Sequence, residues 1–362
     1  MPNYSPNSNQ DQALRTSALR RVVGFTFIEL LAVMAIISLL SAAILVALTE
    51  LQATSKKRRC QQQIKKIDQL IMQRWDEILH KPLPIQLPSS LLPVDRKRAV
   101  LIARRELLRL ELPERITDIF DGPYFKAVMP PYFNTKMPTP ATTRAFQRKA
   151  LFITRQKNND GNLNQWTEQH QGAECLYLIL SVMQDRDSSA LDFFFPGEIG
   201  DTDGDGMLEI LDGFNQPIGF LRWAPGISGP FSDIQKTDAT KSPDATDMGE
   251  ADYRLLDVDP SKHPFNLLPL IMSAGRDGEF GTFGFGKKPD VSKYSYSRDQ
   301  FIDWLDNKFT PKSFRYLQTE YLSGKLFPSD PYWSTNWSKA YGAWIDDTIL
   351  DNISNHQIEV NP

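Results

Sequence analysis

The 362-residue chain is 41% hydrophobic and 23% charged, with a net charge of −3. That is enough chain for one large core or two small ones, and the balance lacks the basic footprint of a nucleic-acid binder. Its two cysteines, Cys60 and Cys175, share no short spacing, so no zinc site follows. One disulfide and two free thiols both stay open, because pairing depends on how close their backbones come.

Residues 1–24 are polar and carry Arg15, Arg20 and Arg21 against a single Asp11. This resembles the positively charged start of a secretory signal. Residues 25–48 then read FTFIELLAVMAIISLLSAAILVAL, with Glu29 as the only charge. As a helix this stretch covers roughly 36 Å, against a bilayer core of about 30 Å. It exceeds a cleavable signal core in length, and no small-x-small site follows. Nothing downstream repeats the pattern, so one membrane pass is expected. The flanks conflict over orientation. Lys56, Lys57, Arg58 and Arg59 lie beyond the span, while the leader arginines lie before it.

The junction Arg20-Arg21-Val22-Val23-Gly24-Phe25-Thr26-Phe27-Ile28-Glu29-Leu30-Leu31 resembles the processing signature of type IV pilins and type II secretion pseudopilins. The resemblance covers roughly residues 19–55. It implies cleavage by a prepilin peptidase between Gly24 and Phe25, with methylation of the new Phe25 amine. It also implies pairing of Glu29 with the N-terminal amine of a neighbouring pilin-like subunit during assembly. A carboxylate inside a membrane helix is costly and persists when it has a partner; cleavage creates one. The implied topology puts the leader in the cytoplasm. The chain then passes the inner membrane once, with its head in the periplasm or outside the membrane. The implied partners are the peptidase, other subunits, the inner-membrane assembly machinery and the lipid bilayer, with no nucleic acid. The implied fold is α+β and pilin-like. A long N-terminal helix, half membrane-spanning and half amphipathic, packs on a small antiparallel sheet beside a large, mainly α-helical insertion.

Residues 49–81 continue the helix without Gly or Pro, and Ile64, Ile67, Leu70, Ile71 and Trp75 form one apolar stripe. Pro82 and Pro84 stop it. The insertion is expected over residues 82–200, with a helix over Asp95–Leu112, a buried helix rather than a strand over Leu176–Met183 because Cys175–Gln184 lacks turn residues, and aperiodic, Pro-rich chain over 121–141. A β-containing head is expected over 201–362, with a strand at Leu267–Ser273. Asp233–Tyr253 reads as a mobile exposed loop, and Trp304, Trp333, Trp337 and Trp344 as late packing against the head, the alternative being a contact surface for a partner or cargo.

Residues 201–212, DTDGDGMLEILD, have the spacing of a twelve-residue calcium loop. The expected Ca²⁺ ligands are Asp201, Asp203, Asp205, the Met207 carbonyl, Glu209 and Asp212, around a turn at Gly206. The alternative is an acidic surface turn. Asp212 also opens DGFNQPIGFLRW, which resembles the D-x-W-G-N-P turn and strand of major pseudopilins, with Phe214 for the Trp. Asp212 therefore has two candidate roles. Ser273–Gly281 resembles the S-x-G-x-D-G-x-x-G segment that leads into a calcium-binding loop in those proteins. The Asp-x-Asp-Ile that follows there is missing here.

The four histidines are scattered, and no P-loop or dinucleotide motif appears, so no enzyme is expected. The expected function is a structural subunit of a pseudopilus or type IV pilus-like filament. The alternative is a single-pass, membrane-anchored, calcium-dependent binding module.

Overall fold

The computed structural model describes residues 26–123, 136–158, 166–167, 169–185, 187–227, 229–236, 238–246, 265–282, 284–285, 342, 345 and 347–358. Gly24, Phe25 and the four late tryptophans lie outside them. The chain divides into two compact units, Met1–Ala53 and Thr54–Pro362.

Helix α1 (Phe27–His80) starts in the first unit and runs unbroken into the second. Within the first unit its apolar side chains, from Phe27 to Leu51, are exposed. Helix-forming Leu, Ala and Met sustain it there without packing. In the second unit α1 becomes one-sided: Cys60, Ile64, Ile67, Leu70, Ile71, Trp75 and Ile78 are buried. Each buried aliphatic contributes about 1.5–3 kcal/mol relative to exposure. Pro82 blocks further helix, and Arg104 Nη1 caps the end by donating to the carbonyls of Ile78 (2.6 Å) and Lys81 (2.7 Å).

Helix α2 (Pro93–Glu111) opens on proline, whose missing N–H costs nothing at that position. Helix α3 (Ile116–Phe120) follows, then α4 (Ala141–Asn158), which buries Phe146, Ala150 and Ile153 at helical spacing. Helix α5 (Gln171–Val182) is apolar nearly all round and buried accordingly. These helices lie within residues 82–200, and α4 is an addition to what periodicity suggested.

The strands are short and antiparallel. β1 (Gln184–Asp185) pairs with β2 (Ser188–Ser189), and β3 (Ile199–Gly200) with β4 (Glu209–Ile210). β5 (Gly219–Leu221), β6 (Leu270–Ser273) and β7 (Ile353–Ser354) form one sheet in that order. Phe220 faces Ile271 across β5–β6, and Ser273 faces Ile353 across β6–β7. Helix α5 packs on β4 and β5. The approach is close enough that a Cβ at Gly172 would stand 2.5 Å from the Phe220 carbonyl oxygen. The α1 stripe shares one core with α2, α5, Ile210, Phe220, Ile271 and Ile353, which gives a mixed α+β head. Asn355 ties three parts of it together. Its Nδ2 donates to Asp68 on α1 (2.8 Å) and to the Pro269 carbonyl, and its Oδ1 accepts from Ile271 N–H.

Two arginines are fully buried where α2 and α3 meet the sheet. Arg109 pairs with Glu106 and Asp118, and Arg222, just past β5, pairs with Glu114 and Asp118. The Glu114 carboxylate also accepts from the Arg222 backbone N–H at 2.8 Å. Buried charge thus adds to the apolar packing of α5 in joining α2 and α3 to the chain just past β5.

The described part of Asp233–Tyr253 departs from an exposed mobile loop. Gln235 is buried and donates to the carbonyls of Ala224 and Ile227, and buried Asp244 pairs with Arg105. A polar composition conceals this anchoring because the buried groups are polar themselves. Cys60 and Cys175 are both buried and free. Cys60 Sγ accepts from Gly213 N–H, and burial, with the nearby Asp212 charge, pushes its thiol up to about 11.

Candidate functional site

Two regions carry chemistry that packing does not explain. The first is the acidic loop. Asp201 folds it by accepting from Gly204 N–H (2.7 Å) and Gly206 N–H (3.1 Å). Gly204 and Gly206 have φ of 82° and 104°, a region that favours glycine. Asp203 and Asp205 each accept from the backbone N–H two residues on, at Asp205 (3.2 Å) and Met207 (2.9 Å). Thr167 braces the loop from outside. Its N–H donates to Asp205 and its hydroxyl to Asp203. Glu209, on β4, accepts from Thr202 N–H and hydroxyl.

Carboxylate oxygens of Asp201, Asp203 and Asp205 lie within 4.8 Å of one another, and so do those of Glu174, Asp203 and Glu209. Asp203 belongs to both groups. Met207 is buried beside them and its side chain joins the core. Asp212 stands in neither group. Its Oδ1 accepts from Phe214 N–H (2.7 Å) and Gln216 N–H (2.9 Å), and its Oδ2 accepts from the Ser273 hydroxyl. Its carboxylate thus closes the turn before β5 and joins that turn to β6. Asp277 is also outside both groups and accepts from Glu279 N–H.

Glu174 is the residue that spacing did not suggest. It sits in the first turn of α5, fully buried. Trp166 Nε1–H donates to its Oε2, while its Oε1 has no hydrogen-bond partner. Burial, then the charges of Asp205, Glu209 and Asp203, push its carboxyl up to about 11 despite the Trp166 bond. Burial raises Glu209 to about 7, with Asp203 and Asp205 adding to it against the Thr202 bonds. The available signal was a lone acid in an otherwise apolar helix, the same signal that marks Glu29.

The second region is the start of α1. Glu29 accepts from Thr26 N–H (2.8 Å) and the Thr26 hydroxyl (2.9 Å), and Glu29 N–H donates back to that hydroxyl. This reciprocal box caps the helix. Around it the surface is apolar, with Phe27 81% and Ile28 74% exposed. α1 is the one helix among the described residues that is long and apolar enough to cross a membrane, and none of that apolar stretch is buried.

The basic flank beyond the span is partly absorbed by the head. Arg59 forms a two-point pair with Glu198 at 2.7 Å and lies over the rings of Phe193 and Phe195. Lys56 lies over Phe214, and Lys66 pairs with Asp185. Lys57 and Arg58 are exposed.

No curated protein and no solved structure matches the chain. Residues 20–45, which take in the Gly24–Phe25 junction and the capped start of α1, match the family model of the prokaryotic N-terminal methylation motif, so the chain carries the N-terminal signature typical of type IV pilins and pseudopilins.

Proposed function

We propose that the protein is a structural subunit of a type II secretion-like pseudopilus or type IV pilus-like filament. In this reading a prepilin peptidase cuts between Gly24 and Phe25 and methylates the Phe25 amine. The observation that carries the reading is an exposed apolar helix that starts on the methylation motif and holds one carboxylate, Glu29, in its first turn. Such a surface is stable in lipid or against copies of itself, not in water. Before assembly the bilayer covers it; in a filament, neighbouring α1 helices do.

Glu29 gives the assembly its register. In the single chain its carboxylate is held by Thr26. A neighbour's methylated α-amine stays cationic and offers a stronger, charge-assisted partner in low dielectric. The head rides on α1 outside the inner membrane, and the chemistry is mechanical rather than catalytic.

Mass spectrometry of the membrane fraction tests the reading. A peptide beginning at N-methylated Phe25 is expected, and an intact Met1 terminus on the mature protein would overturn it.

A further inference from the structure

We propose that Glu174, Asp203 and Glu209, backed by Asp201 and Asp205, hold one oxygen-preferring divalent cation of the calcium type. The site would clasp helix α5 to the loop before β4.

The spacing of the loop acids is a common surface feature and would carry little alone. The second observation is Glu174. It is fully buried on a different element, one of its carboxylate oxygens belongs to the same 4.8 Å group as oxygens of Asp203 and Glu209, and Oε1 has no hydrogen-bond partner. A buried carboxylate normally satisfies its oxygens with donors. Trp166 Nε1–H serves Oε2 alone, and the acids grouped with Glu174 are other carboxylates. Among the described residues no basic side chain pairs with Glu174, Asp203, Asp205 or Glu209. Like charges brought together without a cation repel, and a divalent ion removes both the repulsion and the orphaned oxygen. The donors are all oxygens, with no sulfur or imidazole among them. Such a set suits calcium, which takes six to eight oxygens in flexible geometry, over zinc or copper.

The proposed ligand set differs from the twelve-residue loop in one place. The closing acid at position twelve, Asp212, is spent on the β5 turn and Ser273. Glu174 takes the closing role from outside the loop. The ion therefore links two segments rather than ordering one, and α5 cannot leave β4 while the ion is bound. This inference stands apart from the filament reading, since either could fail alone.

The test uses the full chain in detergent, stripped with a chelator, then titrated with calcium chloride and separately with magnesium chloride by calorimetry. One calcium per chain is expected, with magnesium binding more weakly. Glu174→Gln and Asp203→Asn should each weaken calcium binding about ten-fold or more, while Asp277→Asn leaves it unchanged. Thermal unfolding supplies a readout that mere packing would not reproduce. In chelator, Glu174→Gln should unfold at or above the wild-type temperature, because folding no longer has to bury an acid beside other acids. In calcium it should unfold below it. Absence of calcium binding at millimolar concentration would overturn the proposal. So would unchanged affinity in Asp203→Asn, which tests the site even if the Glu174 variant fails to fold, or loss of binding in Asp277→Asn.

Discussion

Replacing Asp118 by Asn removes one charge from the ion cluster that helps join α2 and α3 to the chain just past β5. Asp118 is fully buried; Oδ1 accepts from Arg109 Nη1 (3.3 Å), and Oδ2 from Arg222 Nη1 (3.0 Å) and Glu114 N–H (3.1 Å). Burial opposes its ionisation, but the charges of Arg222, Arg109 and Arg115 outweigh burial and hold its carboxyl below the usual range. The amide has the same shape, so no cavity forms. It offers one acceptor instead of a charge and turns an NH₂ toward a guanidinium. Breaking one member of a buried ion cluster costs about 3–5 kcal/mol. At about 2–4 °C per kcal/mol for a head of this size, the unfolding midpoint should drop by roughly 6–20 °C. Tryptophan fluorescence of the full chain in detergent measures it, with Asp238→Asn as control. Asp238 pairs with Lys241 at the surface, and its loss should leave the transition in place. A shift for Asp118→Asn as small as the control's would show that the cluster is worth no more than surface pairs.

Gly172→Ala places a methyl 2.5 Å from the Phe220 carbonyl oxygen and should destabilise the head by about 1–3 kcal/mol. Gly197→Ala meets nothing within 4 Å and should be silent; chemical denaturation of both variants checks the contrast. His356 is buried between the Ser232 hydroxyl and the Pro269 carbonyl, and burial lowers it to about 4 from an ordinary 6.5. Between those values the unfolded chain binds a proton that the folded one refuses. Stability is therefore full above about pH 6.5 and falls toward pH 4, by about 2 kcal/mol between pH 7.5 and pH 5. His356→Gln should flatten that part of the stability profile, and an unaltered acid slope would rule out this origin. Glu29→Ala should still be cleaved at Gly24 but should not enter filaments, as read by immunoblot of sheared material. Normal filament incorporation would remove Glu29 from the assembly mechanism.

Legibility followed the kind of force involved. The α1 stripe was readable because burial repeats with the helical period; Ile64, Ile67, Leu70, Ile71 and Trp75 are all buried. Helix α2 was readable from its apolar residues, but nothing local marked Arg105 and Arg109 as buried, Arg105 against the distant Asp244 and Arg109 against Glu106 and Asp118. Helix α4 carries a similar period at Phe146, Ala150 and Ile153, diluted by arginines and threonines. β7 has two residues and no pattern of its own; β6 defines it. In the acidic loop, spacing brought Asp201, Asp203 and Asp205 into one group. The turn motif already offered Asp212 its second role, and its bonds to Phe214 and Gln216 N–H are local; Glu174 comes from α5, and its place beside the loop depends on what packs alongside.

The fastening of Asp68 to Asn355 spans 287 positions of the chain. Synthesis therefore yields the long helix, the insertion and two strands of the sheet well before the residues that close it. Until Ile353 and Ser354 arrive, β6 presents an open edge, and open edges recruit strands from other chains. Contacts this distant also form slowly. The head is thus at its most adhesive just before completion, while its apolar helix already exists. Delivery to the membrane and closure of that edge are, by this geometry, a race.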